Sequence, residues 1–284
     1  MEINIYYGKE HVSIKDQIVT LTGSSDRYQI DRAVYYILKT LYSIPRLYGI
    51  SIKDNILEAW KKEFEIKFLD ILKSDMELER IKFNNMRFEI NTDKISIEGN
   101  LDTQNIFVKV KLLDIPDVEN SLSGLVKLDS YYFNSIPKLK PYIILGNRSG
   151  LIAAFHKFLI LHNEGTPGIP KTLGIVSEFI NSIVIPEGVN YDIFGNELTS
   201  ASDGIMINNV SGYNASPDTL SLFPLKFLLE TSNGYFIIED PEANLSNEFK
   251  VKLINLIKNN KSKLIISTND KDFMLGNIIT ISHF

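Results

Sequence analysis

Two acidic residues directly end a run of four apolar ones: Tyr235-Phe236-Ile237-Ile238 gives way to Glu239-Asp240-Pro241. A continuously apolar stretch of strand length is what a β-strand buried on both faces requires, and such strands belong to parallel sheets covered by helices. The following residues fit. Phe249, Leu253 and Ile257 recur at helical spacing over 246–258, Leu264-Ile265-Ile266 is a second apolar run, and 278–281 a third. Strand, helix and strand within about thirty residues is the size of a parallel βαβ unit with a right-handed crossover. Acids at the carboxyl end of a central parallel strand sit where α/β sheets bind ligands. One such carboxylate can hold Mg²⁺, and its neighbour can orient or deprotonate a water.

The N-terminal forty residues repeat the strand-to-helix theme. Ile3, Ile5 and Tyr7 alternate with polar neighbours, Gly8 and Lys9 turn the chain toward 11–14, and 17–21 is a compact strand. It runs into Thr22-Gly23-Ser24-Ser25-Asp26, after which Val34, Ile37, Leu38 and Leu41 predict a helix over 31–42. Strand, Gly-containing loop and helix is the geometry that presents backbone N–H groups to a phosphate.

Between the two ends, Leu57, Trp60, Phe64, Phe68 and Leu72 form an apolar stripe on a charged helix, the pattern of ordinary core. Period two then takes over around Arg87–Ile90, 94–98 and 106–112, with Asn91, Asp93, Gly99 and Asn100 as turn residues, predicting an antiparallel subdomain over 81–113. An apolar strand, Tyr142-Ile143-Ile144-Leu145, precedes Gly146-Asn147-Arg148-Ser149-Gly150 and a helix to about His162. Residues 150–214 are expected to form a small helical lobe. Ser216 followed by Pro217 marks a helix start.

Composition bounds the function. In 284 residues, 44% are hydrophobic and 23% charged, which is globular rather than disordered, and the net charge of −5 argues against a broadly basic nucleic-acid surface. With no cysteine there is neither disulfide nor thiolate metal site. No apolar run reaches the ~18 residues of a membrane span, and the N-terminus lacks a signal-peptide layout, so a cytoplasmic location is expected. His156 and His162 fall on different faces of a helix, which disfavours a two-His metal site. Lys258, Lys261 and Lys263 suit a solvated helix end. The helix dipole would account for Glu242 as an ordinary first-turn acid, but it does not explain two acids directly ending an apolar strand.

Ile237-Ile238-Glu239-Asp240-Pro241-Glu242-Ala243-Asn244-Leu245 resembles the Walker B and D-loop stretch of ABC-type ATPases, in particular the AAA-family domains related to SMC and OLD-type proteins. The resemblance implies a P-loop fold with a mainly parallel central sheet, built here from 1–45 and 215–284, an antiparallel side sheet and a small helical lobe. It implies ATP and Mg²⁺ as cofactors, Glu239 in the Mg²⁺-associated role and Asp240 as the catalytic carboxylate, one methylene shorter than the family's Glu. Ile266-Ser267-Thr268-Asn269 resembles the family's switch segment, with Asn269 at the His position, where it accepts and donates hydrogen bonds but carries no charge.

The phosphate loop departs from the family pattern. Counted from Gly23, Gln29 stands at the Lys position and Ile30 at the Ser/Thr. Aligned on the helix, Arg27 stands at the Lys and the loop is two residues shorter. Under neither count does the second glycine survive, and that glycine normally frees the backbone to cradle phosphates. The implied nucleotide contacts are thus Gly23, Ser24, Arg27 and Gln29, with Arg148 as a phosphate or interface contact. For the signature element that reaches across an ABC dimer, Ser211-Gly212 keeps the residues, whereas Ala215-Ser216-Pro217 keeps the helix start.

The expected function is a divergent ATPase-family protein with weak or absent ATP turnover, acting as a homodimer or with an ATPase relative. Two alternatives stay open: a slow ATPase using Arg27 and Asp240, and a structural subunit without nucleotide chemistry.

Overall fold

The computed structural model describes the chain outside residues 49–54, 79–80, 84, 103–104, 155–173, 186–187, 202–203 and 283–284. The fold is mixed α/β, with one sheet built on parallel strands, two antiparallel sheets, and helices. Two compact units divide the chain: Met1–Asp16, Gly23–Pro141 and Ile279–Phe284 form one, and Gln17–Thr22 with Tyr142–Ile278 the other.

The first unit is built around a five-stranded antiparallel sheet of β1 (Glu2–Tyr7), β2 (Glu10–Ile14), β4 (Met86–Asn91), β5 (Ile95–Asn100) and β6 (Phe107–Leu112), in the order β2-β1-β4-β5-β6. Period-two patterning decides its faces. Phe88, Ile90, Ile97 and Val110 are buried while their alternating neighbours are half-buried or exposed; in β1, Ile3 and Ile5 are buried and so is Asn4 between them. The subdomain expected over 81–113 is thus part of a larger sheet that takes in the N-terminal hairpin. Helix α2 (Ile56–Leu78) covers this core with Trp60, Phe64, Phe68, Leu72 and Met76, as its stripe predicts. Leu57, expected in that stripe, is only half-buried, and Ile56 takes the buried place. Asp129 of α3 (Leu122–Phe133) is fully buried and accepts from Trp60 Nε1 at 2.9 Å and from the Leu47 amide at 3.1 Å. Glu65 accepts from the Val110 amide at 2.7 Å.

Helix α1 spans Arg27–Ser43, opening four residues earlier than the hydrophobic period indicates. Its cap residue is Asp26, and Asp31 is buried inside the helix. The helix start expected at Asp31 is therefore corrected: backbone bonds within 24–30 start the helix before its apolar stripe begins.

In the second unit, β3 (Ile18–Gly23, through Thr22), β13 (Lys263–Ser267) and β12 (Gly234–Glu239) run parallel, in a sheet ordered β14-β3-β13-β12-β7, where β7 is Lys140–Ile144 and β14 Asn277–Ile281. Every residue of β12 is buried, as its apolar run requires. Helix α5 (Pro217–Thr231) is capped by Ser216, whose hydroxyl accepts from the Thr219 amide at 3.2 Å. It is buried almost all round, the mark of a core helix. Helix α6 (Asn247–Asn259) links β12 to β13, completing the expected βαβ sequence.

Of the segment expected as a helical lobe, a helix at 148–154 and α4 (Ile175–Ser182) are described. Residues 190–211 add a four-stranded antiparallel sheet, β8 to β11. Strand β9 (Asn196–Ala201) pairs with both β8 (Asn190–Ile193) and β10 (Gly204–Ile207), and β11 is Val210–Ser211. Tight turns at Phe194-Gly195 and Asn208-Asn209, all four in the left-handed region, make these strands too short for periodicity to reveal. The remainder of the helix expected to about His162, with both histidines, lies outside the described residues. No described helix is long and apolar enough to cross a membrane.

Candidate functional site

Register brings the three parallel strands to a common carboxyl edge. Glu239 lies beside Ser267, and Ser267 beside Leu21. The ladder continues one step beyond the strands: the Asp240 amide donates to Ser267 O at 2.8 Å and the Thr268 amide to Leu21 O at 2.9 Å. Strand order makes this edge special. The chain leaving β3 goes on to β7 at one border of the sheet, while the chain leaving β13 goes to β14 on the other side of β3. Neighbouring strands thus send the chain in opposite directions, the switch point at which α/β sheets open a crevice. There Thr22 Oγ1 donates to Asn269 Oδ1 at 3.0 Å.

The acidic turn after β12 is the most constrained part of this edge. Glu239 is 6% exposed, and its carboxylate accepts from the Gly146 amide at 3.4 Å. Asp240 has φ +42°, a left-handed backbone that costs a non-glycine residue ~1–2 kcal/mol. Its carboxylate leans toward Gly146, where an added Cβ would sit 2.9 Å from Oδ2. Glu242 accepts from the Thr268 hydroxyl at 2.8 Å. Burial is the largest influence on this carboxyl, and with Asp240 and Asp270 it raises the pKa above 4.5 against the opposing pull of its hydrogen bonds. The sequence reading of Glu242 as a solvated first-turn acid gives way to a half-buried group tied to the next strand. Lys250 of α6 pairs with Asp270 at 2.6 Å and holds the Asp270 carboxyl below its ordinary value.

Arg148 is fully buried. Its Nε donates to Ser221 O at 2.8 Å. Nη1 faces the carbonyls of Leu145, Glu239 and Asp240 at 3.4, 3.3 and 3.0 Å, and Nη2 those of Pro241 and Ala243 at 2.8 and 3.3 Å. A guanidinium has five N–H donors, and six carbonyls occupy them. The sequence-based expectation of a phosphate or interface contact meets a side chain whose donors are all engaged by backbone. Burial lowers its pKa to about 10, with the nearby Glu242, Asp240 and Glu239 charges acting the other way, so it stays charged at neutral pH.

In the other unit, the loop from Gly23 to α1 is closed on itself. Only residues 24–26 separate the strand from the helix. The Ser24 amide donates to Ile281 O at 2.9 Å, the Asp26 amide to Ser24 Oγ at 3.2 Å and the Arg27 amide to Ser24 O at 3.2 Å. Those of Tyr28 and Gln29 reach Ser25 O and Asp26 O at 3.1 and 2.9 Å. Arg27 is 5% exposed and points back: Nη1 donates to Gly23 O at 2.9 Å and Ser24 O at 3.1 Å, and Nη2 to Tyr28 Oη at 2.7 Å. Gly23, at φ +96°, has no room for a Cβ, which would fall 2.3 Å from Ile281 O. These residues do not fit a polyphosphate as a cradle, because the amides of Ser24, Asp26, Arg27, Tyr28 and Gln29 already have acceptors.

Glu239, Asp240, Asn269 and Arg148 lie at the carboxyl edge of the second unit's parallel strands, and Gly23, Ser24, Arg27 and Gln29 in the strand-to-helix loop and first helical turn of the first unit. Ser211 and Gly212 stand at β11, where a Cβ on Gly212 would meet Ile205 at 2.7 Å, so that glycine serves the small sheet. Sequence reading missed the hydroxyls of Thr22, Thr268 and Ser221. The first two lie inside segments it recognised, but nothing in the pattern singles out Ser221 within its helix. Among the described residues no group of three or more His, Asp or Glu is arranged to hold a metal ion.

No family model and no curated protein sequence matches the chain. Among solved structures, it is similar to an SMC head bound to the C-winged helix domain of ScpA, at 13% identity over 100% of this chain and 94% of that one, with a TM-score of 0.48. It is similar to the SMC head domain from Thermotoga maritima, at 11% identity over 99% and 93%, TM-score 0.43. It is also similar to the recombination mediator RecF with ATP, at 12% identity over 99% and 96%, TM-score 0.42.

Proposed function

We propose that this chain is a divergent ABC-type ATPase-family domain that binds nucleotide weakly or not at all by itself and acts through self-association or a partner. The observation that carries the reading is the closed loop after β3. A phosphate-binding loop works by leaving several amides unengaged and aimed inward. Here the amides of Ser24, Asp26, Arg27, Tyr28 and Gln29 already have acceptors, and Asp26 adds negative charge. The alternative of a slow ATPase asks Arg27 to replace the P-loop lysine, which means withdrawing it from the Gly23 and Ser24 carbonyls. The resemblance of the segments 237–245 and 266–269 to the family's Walker B and switch stretches, and the placement of their strands at a sheet switch point, support descent from the ATPase plan. Where Mg²⁺ binds, Glu239 is the residue to hold it.

Calorimetric titration of the purified protein with a non-hydrolysable ATP analogue and Mg²⁺, repeated on Glu239→Ala, tests this. The expected outcome is no saturable heat below millimolar nucleotide. Micromolar binding that the substitution weakens, or turnover abolished by Glu239→Gln, would overturn it.

A further inference from the structure

We propose that Arg148 is the positioning residue of the acidic edge: its buried guanidinium holds the turn 239–243 in the one backbone shape that presents Glu239 and Asp240, with no ligand needed to set it. This rests on the functional reading above, since a chain that takes up little nucleotide has to fix this turn from within.

Three features lead there. The turn is unusual backbone, with left-handed Asp240 and Asn244 four residues apart, and such residues persist only where their surroundings over-determine them. Four of its carbonyls, those of Glu239, Asp240, Pro241 and Ala243, converge on a single side chain. Only arginine presents a rigid planar fork wide enough to meet them together; lysine offers three donors radiating from one point. Finally, the same guanidinium reaches Ser221 O, and the Ser221 hydroxyl donates to Ala243 O at 2.5 Å, so α5 and the turn are tied twice. Asn244 adds a bond to Ser149, the residue after Arg148, at 3.0 Å. The clamp is charged, and Glu239, Asp240 and Glu242 are the carboxylates that favour its charged form. Its role is therefore geometric and electrostatic together, without contact to a reacting atom.

Amide hydrogen exchange on the full, nucleotide-free chain tests this. In Arg148→Lys, exchange over 240–245 is expected to speed up tenfold or more, while the strands β12 and β13 keep their protection. In Arg148→Ala, methylguanidinium restores that protection and methylammonium does not. Unchanged protection of the turn in the Lys variant, or acceleration spread evenly through the chain, sinks the proposal; so does equal rescue by both cations. If the Ala variant fails to fold, Ser221→Ala takes its place and should loosen the same segment by a smaller factor; no loosening there counts against the clamp. Tight MgATP binding by the unaltered chain would remove the functional reading and leave the exchange result standing, whereas an unaltered turn in Arg148→Lys would do the reverse.

Discussion

Two turns leave the carboxyl ends of parallel strands in this molecule, and an arginine holds each by its carbonyls. After β3, Arg27 opens helix α1 directly behind the loop and donates back to the Gly23 and Ser24 carbonyls. After β12, Arg148 comes from a distant helix and gathers four carbonyls of the turn with two more outside it. The first arrangement uses up the donors a phosphate would need. The second keeps two carboxylates at a strand end and uses up only acceptors. Both arginines engage carbonyls, and what separates the two cases is that the amides after β3 also have acceptors close by.

The largest effect should separate the two arginines. Arg148→Met leaves buried carbonyls unpaired and should cost about 3–5 kcal/mol in a denaturant melt, whereas Arg27→Met should cost about 1–2. Equal losses would break the distinction between clamp and local brace. Next is Gly23→Ala, where a left-handed backbone and a carbonyl 2.3 Å from the new Cβ combine to about 3 kcal/mol, read the same way.

Gly146→Ala is smaller, about 1–2 kcal/mol, because its Cβ meets the movable Asp240 carboxylate. A double-mutant cycle with Asp240→Gly should show most of that loss relieved, and additivity would mean that the carboxylate does not occupy this space.

The smallest effect is a slope. Because the Glu242 pKa is raised on folding, the unfolded chain ionises first, so this carboxyl's contribution to stability is greatest at low pH. It declines as pH rises from about 4.5 to the raised value. Glu242→Gln should flatten that part of the pH–stability curve, and an identical slope in both proteins would show that the group is solvated like any first-turn acid.

How far the sequence disclosed all this varies by region for physical reasons. Strand β12 was legible because burial on both faces leaves it apolar from Tyr235 to Ile238, and the α2 stripe because buried side chains recur every fourth position from Trp60 to Met76. The small sheet from β8 to β11 was not: strands of two to six residues joined by Phe194-Gly195 and Asn208-Asn209 give period two no length to show itself. At the edge, Glu239 and Asp240 stood out as acids ending an apolar run. The reach of Arg148 depends on a contact across 91 to 95 residues of chain, which no local pattern encodes. Helix α1 began early because loop carbonyls, rather than apolar spacing, start it.

The left-handed backbone at Asp240 also limits what can be installed there. Such dihedrals are tolerated by Gly, Asn and Asp, whose short side chains fit locally, and are resisted by longer ones. Replacing this acid by the longer Glu would therefore work against the main chain. Freeing the turn would have to come first, since its left-handed backbone already carries a cost with Asp in place.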